Sequence, residues 1–175
     1  MKFFDGNKRA AGRSGTSRWP TLVLLCVAQF VVVLDATIVA IALPSIQRDL
    51  GFSQASLQWV ISAYTLVFGG FLMLAGRAAD LYGRRKLFMV GLALFSAASV
   101  ACGLAASPLA LVAFRVAQGL GAAIVSPSAL SILTTTFSEE KERNRALGVW
   151  TAAAAGGGAA GWVLGGVITQ GLGWA

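Results

Sequence analysis

The sequence of 175 residues contains no histidine, only two cysteines and four prolines, and charged side chains make up only 12% of it. Without histidine there is no Ser-His or Cys-His catalytic pair and no imidazole metal ligand. Cys26 and Cys102 both lie in long apolar runs, so we expect neither a disulfide nor a reactive thiol. The scarcity of charge, together with 57% hydrophobic residues, excludes a water-soluble globule and a disordered tail. These numbers predict an integral membrane protein.

Five apolar runs are long enough to cross a bilayer as helices. A crossing helix needs roughly 20 apolar residues, and the runs that qualify are residues 21–43, 57–75, 87–106, 108–133 and 147–170. Lipid offers no partner for unpaired backbone groups, so all five are expected to be helical, which gives an all-α polytopic membrane bundle. Ser107 and Pro108 supply a cap and a first-turn proline. Pro20 and Pro44 are expected to bracket the first span, and Pro127 to kink the fourth.

The basic residues fall on one side of these spans. Of the 14 lysines and arginines, all but Arg48 and Arg115 lie before the first span, between the second and third, or between the fourth and fifth. The positive-inside rule then places the N-terminus in the cytoplasm. The sequence divides into a basic cytoplasmic tail, 1–19, and a transmembrane bundle, 20–175. The net charge of +7 is therefore a topology signal and does not imply nucleic acid.

Two ionisable residues lie inside the predicted spans. Asp35 lies in the first span beyond its middle, and Arg115 lies seven residues into the fourth span, followed by Gln118 on the same helical face. Charged groups at this depth are costly and need a partner, a cavity or a route to the headgroups. We expect Asp35 and Arg115 to be candidate partners on a substrate or proton path with Gln118. The alternatives are an interfacial hydrogen bond for Asp35 and snorkelling for Arg115.

The segment between the second and third spans, residues 76–86, combines two glycines with an acid among basic residues. Gly76 and Gly83 are expected to allow a sharp turn. Asp80 stands four residues before Arg84 and can hold that turn by an ion pair. The predicted gating loop consists of Gly76, Asp80, Gly83, Arg84 and Arg85.

The fifth span is rich in glycine. Gly157, Gly161 and Gly165 recur every four residues, with Gly166 beside them, and form one smooth ridge that another helix can approach closely. The ridge is consistent with static helix packing and with a surface along which helices slide or gate during transport.

Four segments together resemble the major facilitator superfamily. Residues 76–86 resemble its loop signature G-x-L-A-D-x-x-G-R-R/K-x, and residues 34–44 resemble the first-helix motif L-D-x-T-I-V-N-V-A-L-P, with Ala40 in place of asparagine. That motif is typical of the drug:proton antiporters, particularly their fourteen-helix branch. Residues 115–123 match R-x-x-Q-G-x-G-A-A, and residues 161–166 resemble G-P-x-x-G-G, with Trp162 in place of proline.

The resemblance implies a proton-coupled exporter of small drug-like or cationic compounds in the cell membrane. In it Asp35 would meet protons or cationic substrate, Arg115 would assist proton movement, and Asp80 and Arg84 would stabilise the outward-facing state. The proton gradient would be the energy source, so no cofactor or metal is expected. Members have two six-helix halves with substrate between them. The chain is thus expected to be an N-terminal part that stops before a sixth helix and lacks the C-terminal half.

Two other functions compete with export. One is an importer of sugars or organic anions from the same superfamily. The other is a truncated membrane protein that binds a full-length partner through its glycine ridge and transports nothing. An enzyme is not expected, because the sequence has no phosphate-binding loop and no cluster of carboxylates for a metal.

Overall fold

The structure, a computed structural model, describes residues 18–171, with side chains to residue 168. Residues 1–17 and 172–175, which include most of the predicted basic tail, lie outside the described part. The helices are α1 (Arg18–Leu50), α2 (Gln54–Leu57), α3 (Trp59–Tyr82), α4 (Arg84–Gly103), α5 (Pro108–Thr136) and α6 (Glu140–Gly171). Within residues 18–168, five of them are long and apolar enough to cross a membrane.

The helix ends follow local chemistry. The hydroxyl of Ser107 accepts from the backbone N–H of Ala110 at 3.3 Å, and Pro108 occupies the first turn of α5, as predicted. Gly51 and Gly83 have positive φ angles of 69° and 98°. Glycine tolerates this conformation, so these two residues end α1 and α3 where a side chain would be strained.

Two expectations about these ends are wrong. Pro44 does not end the first helix, because it lies inside α1, which continues to Leu50 and stops at Gly51. Gly76 does not belong to the turn after α3: it lies inside that helix, and a Cβ there would be 3.8 Å from Cβ of Pro127 on α5. Helix α1 begins at Arg18, so the last two residues of the predicted tail are helical.

Helix α5 lies at the centre of the bundle. It packs along α3 and α4 and contacts α1, while α1 packs along α6. Glycines bring the backbones together: a Cβ on Gly119 would be 2.6 Å from the carbonyl oxygen of Tyr64, and one on Gly121 would be 2.7 Å from the nitrogen of Phe95. Close approach at small residues is how helices associate in lipid.

The outer surface of the bundle is apolar. Met73 on α3 is 88% exposed and Trp162 on α6 is 68% exposed, as are many other large apolar side chains. Such a surface is costly in water and suits either lipid or the apolar face of another membrane helix. The predicted all-α membrane bundle is therefore the fold observed, and α6 runs through Trp162 without a break.

Candidate functional site

The two ionisable residues predicted inside the spans meet in the structure. Asp35 lies near the middle of α1, and its side chain is 15% exposed. Its Oδ2 accepts from Nη1 of Arg115 at 2.8 Å, and its Oδ1 accepts from Nε2 of Gln118, also at 2.8 Å. Both donors come from α5. The carboxylate thus has one hydrogen-bond donor for each oxygen.

Arg115 is only 1% exposed, so it does not snorkel to the membrane surface. Besides Asp35, its Nη1 donates to Oε1 of Gln118 at 2.6 Å, and its Nε donates to the carbonyl oxygen of Val60 on α3 at 3.2 Å. A buried guanidinium is tolerated when it is paired and its N–H groups are used. Nε and Nη1 of Arg115 are used in this way, and their bonds tie α1, α3 and α5 together.

Two further residues complete the site and were missed from the sequence. The guanidinium of Arg115 lies over the ring of Tyr64 on α3, 4.3 Å from its centroid, which is a cation–π contact. The thiol of Cys102 on α4 lies 3.6 Å from Oε1 of Gln118 and donates to it. The sequence does not single out Tyr64, because an aromatic residue within an apolar run is ordinarily only a packing residue. Cys102 also lies in an apolar run, where a thiol is expected to be inert.

A cavity of about 320 Å³ between α1, α4 and α5 reaches this cluster. Asp35, Arg115, Cys102 and Ser99 line it together with apolar side chains of α1. When a carboxylate takes up a proton, one oxygen that accepted becomes a donor. Proton uptake on Oδ2 would therefore break the ion pair and leave Arg115 with Gln118 and the carbonyl of Val60. The arrangement can couple a proton at Asp35 to the contact between α1 and α5.

The predicted gating loop forms a separate site at the opposite end of α3. Asp80 accepts from Nε and Nη2 of Arg84 at 3.1 and 3.0 Å, which is the expected ion pair across the turn. Asp80 lies 20 residues after Val60, or about 30 Å along the helix axis. Arg85 is also near the turn and lines an open groove with Thr135 and Thr136 of α5. These residues are half-exposed and do not contact the Asp35 cluster.

The predicted glycine ridge on α6 is in contact with α1. A Cβ on Gly157 would be 2.5 Å from the carbonyl oxygen of Phe30, one on Gly161 would be 2.7 Å from Cβ of Thr37, and one on Gly165 would be 3.0 Å from Cδ1 of Ile41. Gly166 has no such close approach, since a Cβ there would meet no atom of α1 within 4 Å. Because α1 covers the ridge, no observation favours it as a docking surface for another protein.

Sequence comparison places this arrangement in a family. The model of the Major Facilitator Superfamily matches residues 25–175, which include all of the site residues. The chain belongs to the Major Facilitator Superfamily. The resemblance drawn from four motifs is thereby confirmed.

Three curated relatives of this chain are named as export or resistance proteins. The cephamycin export protein CmcT of Amycolatopsis lactamdurans is 50% identical over 171 residues, which is 95% of this chain and 35% of that protein. The puromycin resistance protein pur8 of Streptomyces alboniger is 51% identical over 90% of this chain and 31% of its own length. The multidrug resistance protein Stp of Mycobacterium tuberculosis is 46% identical over 88% of this chain and 29% of its own length. The chain spans about a third of the length of these relatives.

Solved structures show the same major facilitator fold. A bacterial homologue of the human lysosomal transporter Spinster, in an inward-facing and unoccupied conformation, superposes with a TM-score of 0.76 at 26% identity. The match covers 90% of this chain and 36% of that one. Its inward-facing, occupied form gives a TM-score of 0.77 at 27% identity, over 87% of this chain and 33% of that one.

Proposed function

We propose that this chain forms the first five spanning helices of a transporter that exports small drug-like or cationic compounds in exchange for protons. The observation that carries the proposal is the Asp35 cluster. Among the residues that the structure describes, Asp35 is the acid at the middle of a spanning helix, whereas the other acids within these helices lie in terminal turns. Its partners lie on another helix. The curated relatives support export as the direction, because their names describe export and resistance.

In this proposal Asp35 takes up and releases the proton. Protonation weakens its bond to Arg115, and α1 then changes its contact with α5. The cationic substrate and the proton compete for the same carboxylate, which is the physical basis of exchange. Gln118 keeps one oxygen of Asp35 paired in both states. The energy comes from the proton gradient, and no cofactor is required.

The proposal also requires a second helical half. Alternating access in this superfamily works by rocking of one half against the other, with substrate bound between them. The partner half would cover apolar surface that α3 and α6 leave exposed, at residues such as Met73 and Val163. The basic residues before α1, after α3 and at the start of α6 support a plasma-membrane protein with a cytoplasmic N-terminus.

The test is proton-driven transport by a chimera in which this chain replaces the matching third of an export relative such as CmcT. In inverted membrane vesicles, an imposed pH gradient is expected to drive accumulation of the compound that the relative exports. Asp35→Asn should abolish this accumulation while the chimera still inserts. Asp49→Asn is the matched control, because Asp49 is an exposed acid at the end of the same helix.

Two results would contradict the proposal. One is accumulation by Asp35→Asn that still depends on the pH gradient at the parent rate. The other is a chimera that inserts normally and transports nothing while the intact relative is active in the same vesicles.

A further inference from the structure

A single turn of α3 holds the arginine of the cluster. Val60 and Tyr64 stand four residues apart and so lie on the same face of α3. The carbonyl oxygen of Val60 accepts from Nε of Arg115 at 3.2 Å, and the ring of Tyr64 lies against the guanidinium at 4.3 Å. The guanidinium of Arg115 therefore has a backbone acceptor at its Nε and an aromatic ring against its face. Both come from α3, which has no acid near Val60 or Tyr64.

The position of this turn is fixed by close packing. Gly119 follows Arg115 by one turn of α5, and a Cβ there would be 2.6 Å from the carbonyl oxygen of Tyr64. The two helices are therefore in backbone contact beside the arginine. Tyr64 is only 7% exposed, and its ring stacks on Phe68 with centroids 6.1 Å apart and planes 2° from parallel. The ring is therefore packed within the bundle, with the guanidinium of Arg115 against it.

We propose that Tyr64 is a positioning residue that holds the guanidinium of Arg115 against the carboxylate of Asp35. The inference rests on the proposed function of Asp35 as the proton carrier and adds a residue that neither the motifs nor the comparisons assign. The reason is geometric: Asp35 receives only one N–H from Arg115, at Nη1, instead of the two-bond fork that arginine often makes. A single bond depends strongly on where the guanidinium is held. Tyr64 thereby sets how firmly Arg115 binds the carboxylate of Asp35.

The aromatic face is the feature that this proposal requires. A cation over an aromatic ring is attracted by the negative face of that ring, and phenylalanine offers the same face as tyrosine. The hydroxyl of Tyr64 is not needed. Tyr64→Phe should therefore behave as the parent, whereas Tyr64→Leu and Tyr64→Met keep apolar bulk and lose the contact.

The experiment measures the coupling between Asp35 and Arg115 in the 175-residue chain by double-mutant cycles on its unfolding free energy in detergent. The cycle combines Asp35→Leu with Arg115→Leu and is repeated in each Tyr64 variant. In Tyr64→Leu and Tyr64→Met the coupling should fall to less than half of its parent value, because the guanidinium is no longer held against the carboxylate. In Tyr64→Phe it should equal that of the parent. Phe95→Leu is the matched control, because Phe95 is also buried and packs on α5 beside Gly121, and in the described part of the chain it makes no cation–π contact with Arg115.

The proposal is overturned if neither non-aromatic variant lowers the coupling between Asp35 and Arg115, if Tyr64→Phe lowers it as far as they do, or if Phe95→Leu has an equal effect. Circular dichroism of each variant reports whether the bundle still folds. If Tyr64→Leu does not fold, Tyr64→Met takes its place in the test. This measurement needs no transport. A chimera that fails to transport would therefore count against the proposed function and leave this test standing.

Discussion

Gln118 donates to Oδ1 of Asp35 at 2.8 Å, and this bond closes a ring of three side chains. Arg115 contacts both of the others, at 2.8 Å from Oδ2 of Asp35 and 2.6 Å from Oε1 of Gln118. Each member thus satisfies polar groups of the other two. In a low-dielectric interior such a ring is strong when complete and costly when one member is lost.

Gln118→Leu should destabilise the chain by about 1.5–3 kcal/mol, because it removes hydrogen bonds to two charged groups at once. The measurement is the unfolding free energy of the 175-residue chain in detergent, from denaturant titration. Gln29→Leu is the matched control: it also lies between α1 and α5, but its Oε1 has a single long contact of 3.5 Å, to the neutral hydroxyl of Ser126. An equal loss in the two variants would show that Gln118 only fills space.

Arg115→Leu should be more damaging, with a loss of about 3–5 kcal/mol, because it leaves the carboxylate of Asp35 buried without its counter-charge. The double variant Asp35→Leu with Arg115→Leu should recover much of that loss, since it removes both charges together. A double-mutant cycle on unfolding free energies measures the coupling. If the double variant loses the sum of the two single losses, Asp35 and Arg115 do not stabilise each other in the way that the structure indicates.

The charged members of this ring could be predicted from the sequence because lipid makes them conspicuous. An acid and an arginine inside apolar spans stand out, and Gln118 follows Arg115 on the same helical face. Tyr64 could not be predicted in this way. Its role depends on how α3 packs against α5. Gly119 allows the backbones of these two helices to touch beside Tyr64, and this contact is visible only in the three-dimensional structure.

The errors at the helix ends have a similar origin. Pro44 looks like a boundary because proline interrupts hydrogen bonding, but one lost bond does not end a long apolar helix. Gly51 ends it, through a positive φ that the sequence does not reveal.

Gly165 and Gly166 look equivalent in the sequence, yet successive helical residues point in directions about 100° apart. Only Gly165 therefore faces α1.

Gly161→Ala should destabilise the packing of α6 on α1 by about 1–3 kcal/mol, the usual cost of overpacking. The added methyl group would be 2.7 Å from Cβ of Thr37 and 3.1 Å from the carbonyl oxygen of Leu34, so α1 must shift on either side of Asp35. Gly166→Ala is the control on the same helix, because its methyl group would meet no atom of α1 within 4 Å. Unfolding free energies of the two variants check the prediction, and a larger loss in Gly166→Ala would contradict the observed face.

Asp80→Asn should lower transport by the chimera several-fold and leave its stability almost unchanged. The ion pair with Arg84 is 3.0 Å long, but the side chains of Arg84 and Asp80 are 37% and 57% exposed. Exposed pairs contribute about 0–1 kcal/mol, so a large loss of transport in this variant would come from a state that Asp80 stabilises during the cycle and not from unfolding. Glu142→Gln is the matched control, since it breaks the exposed pair between Arg18 and Glu142 at the same end of the bundle. The measurements are initial transport rates and thermal unfolding of both variants. Parent-like transport in Asp80→Asn, or an equal loss of transport in Glu142→Gln, would contradict the prediction. The turn after α3 would then contribute only its basic residues to membrane topology.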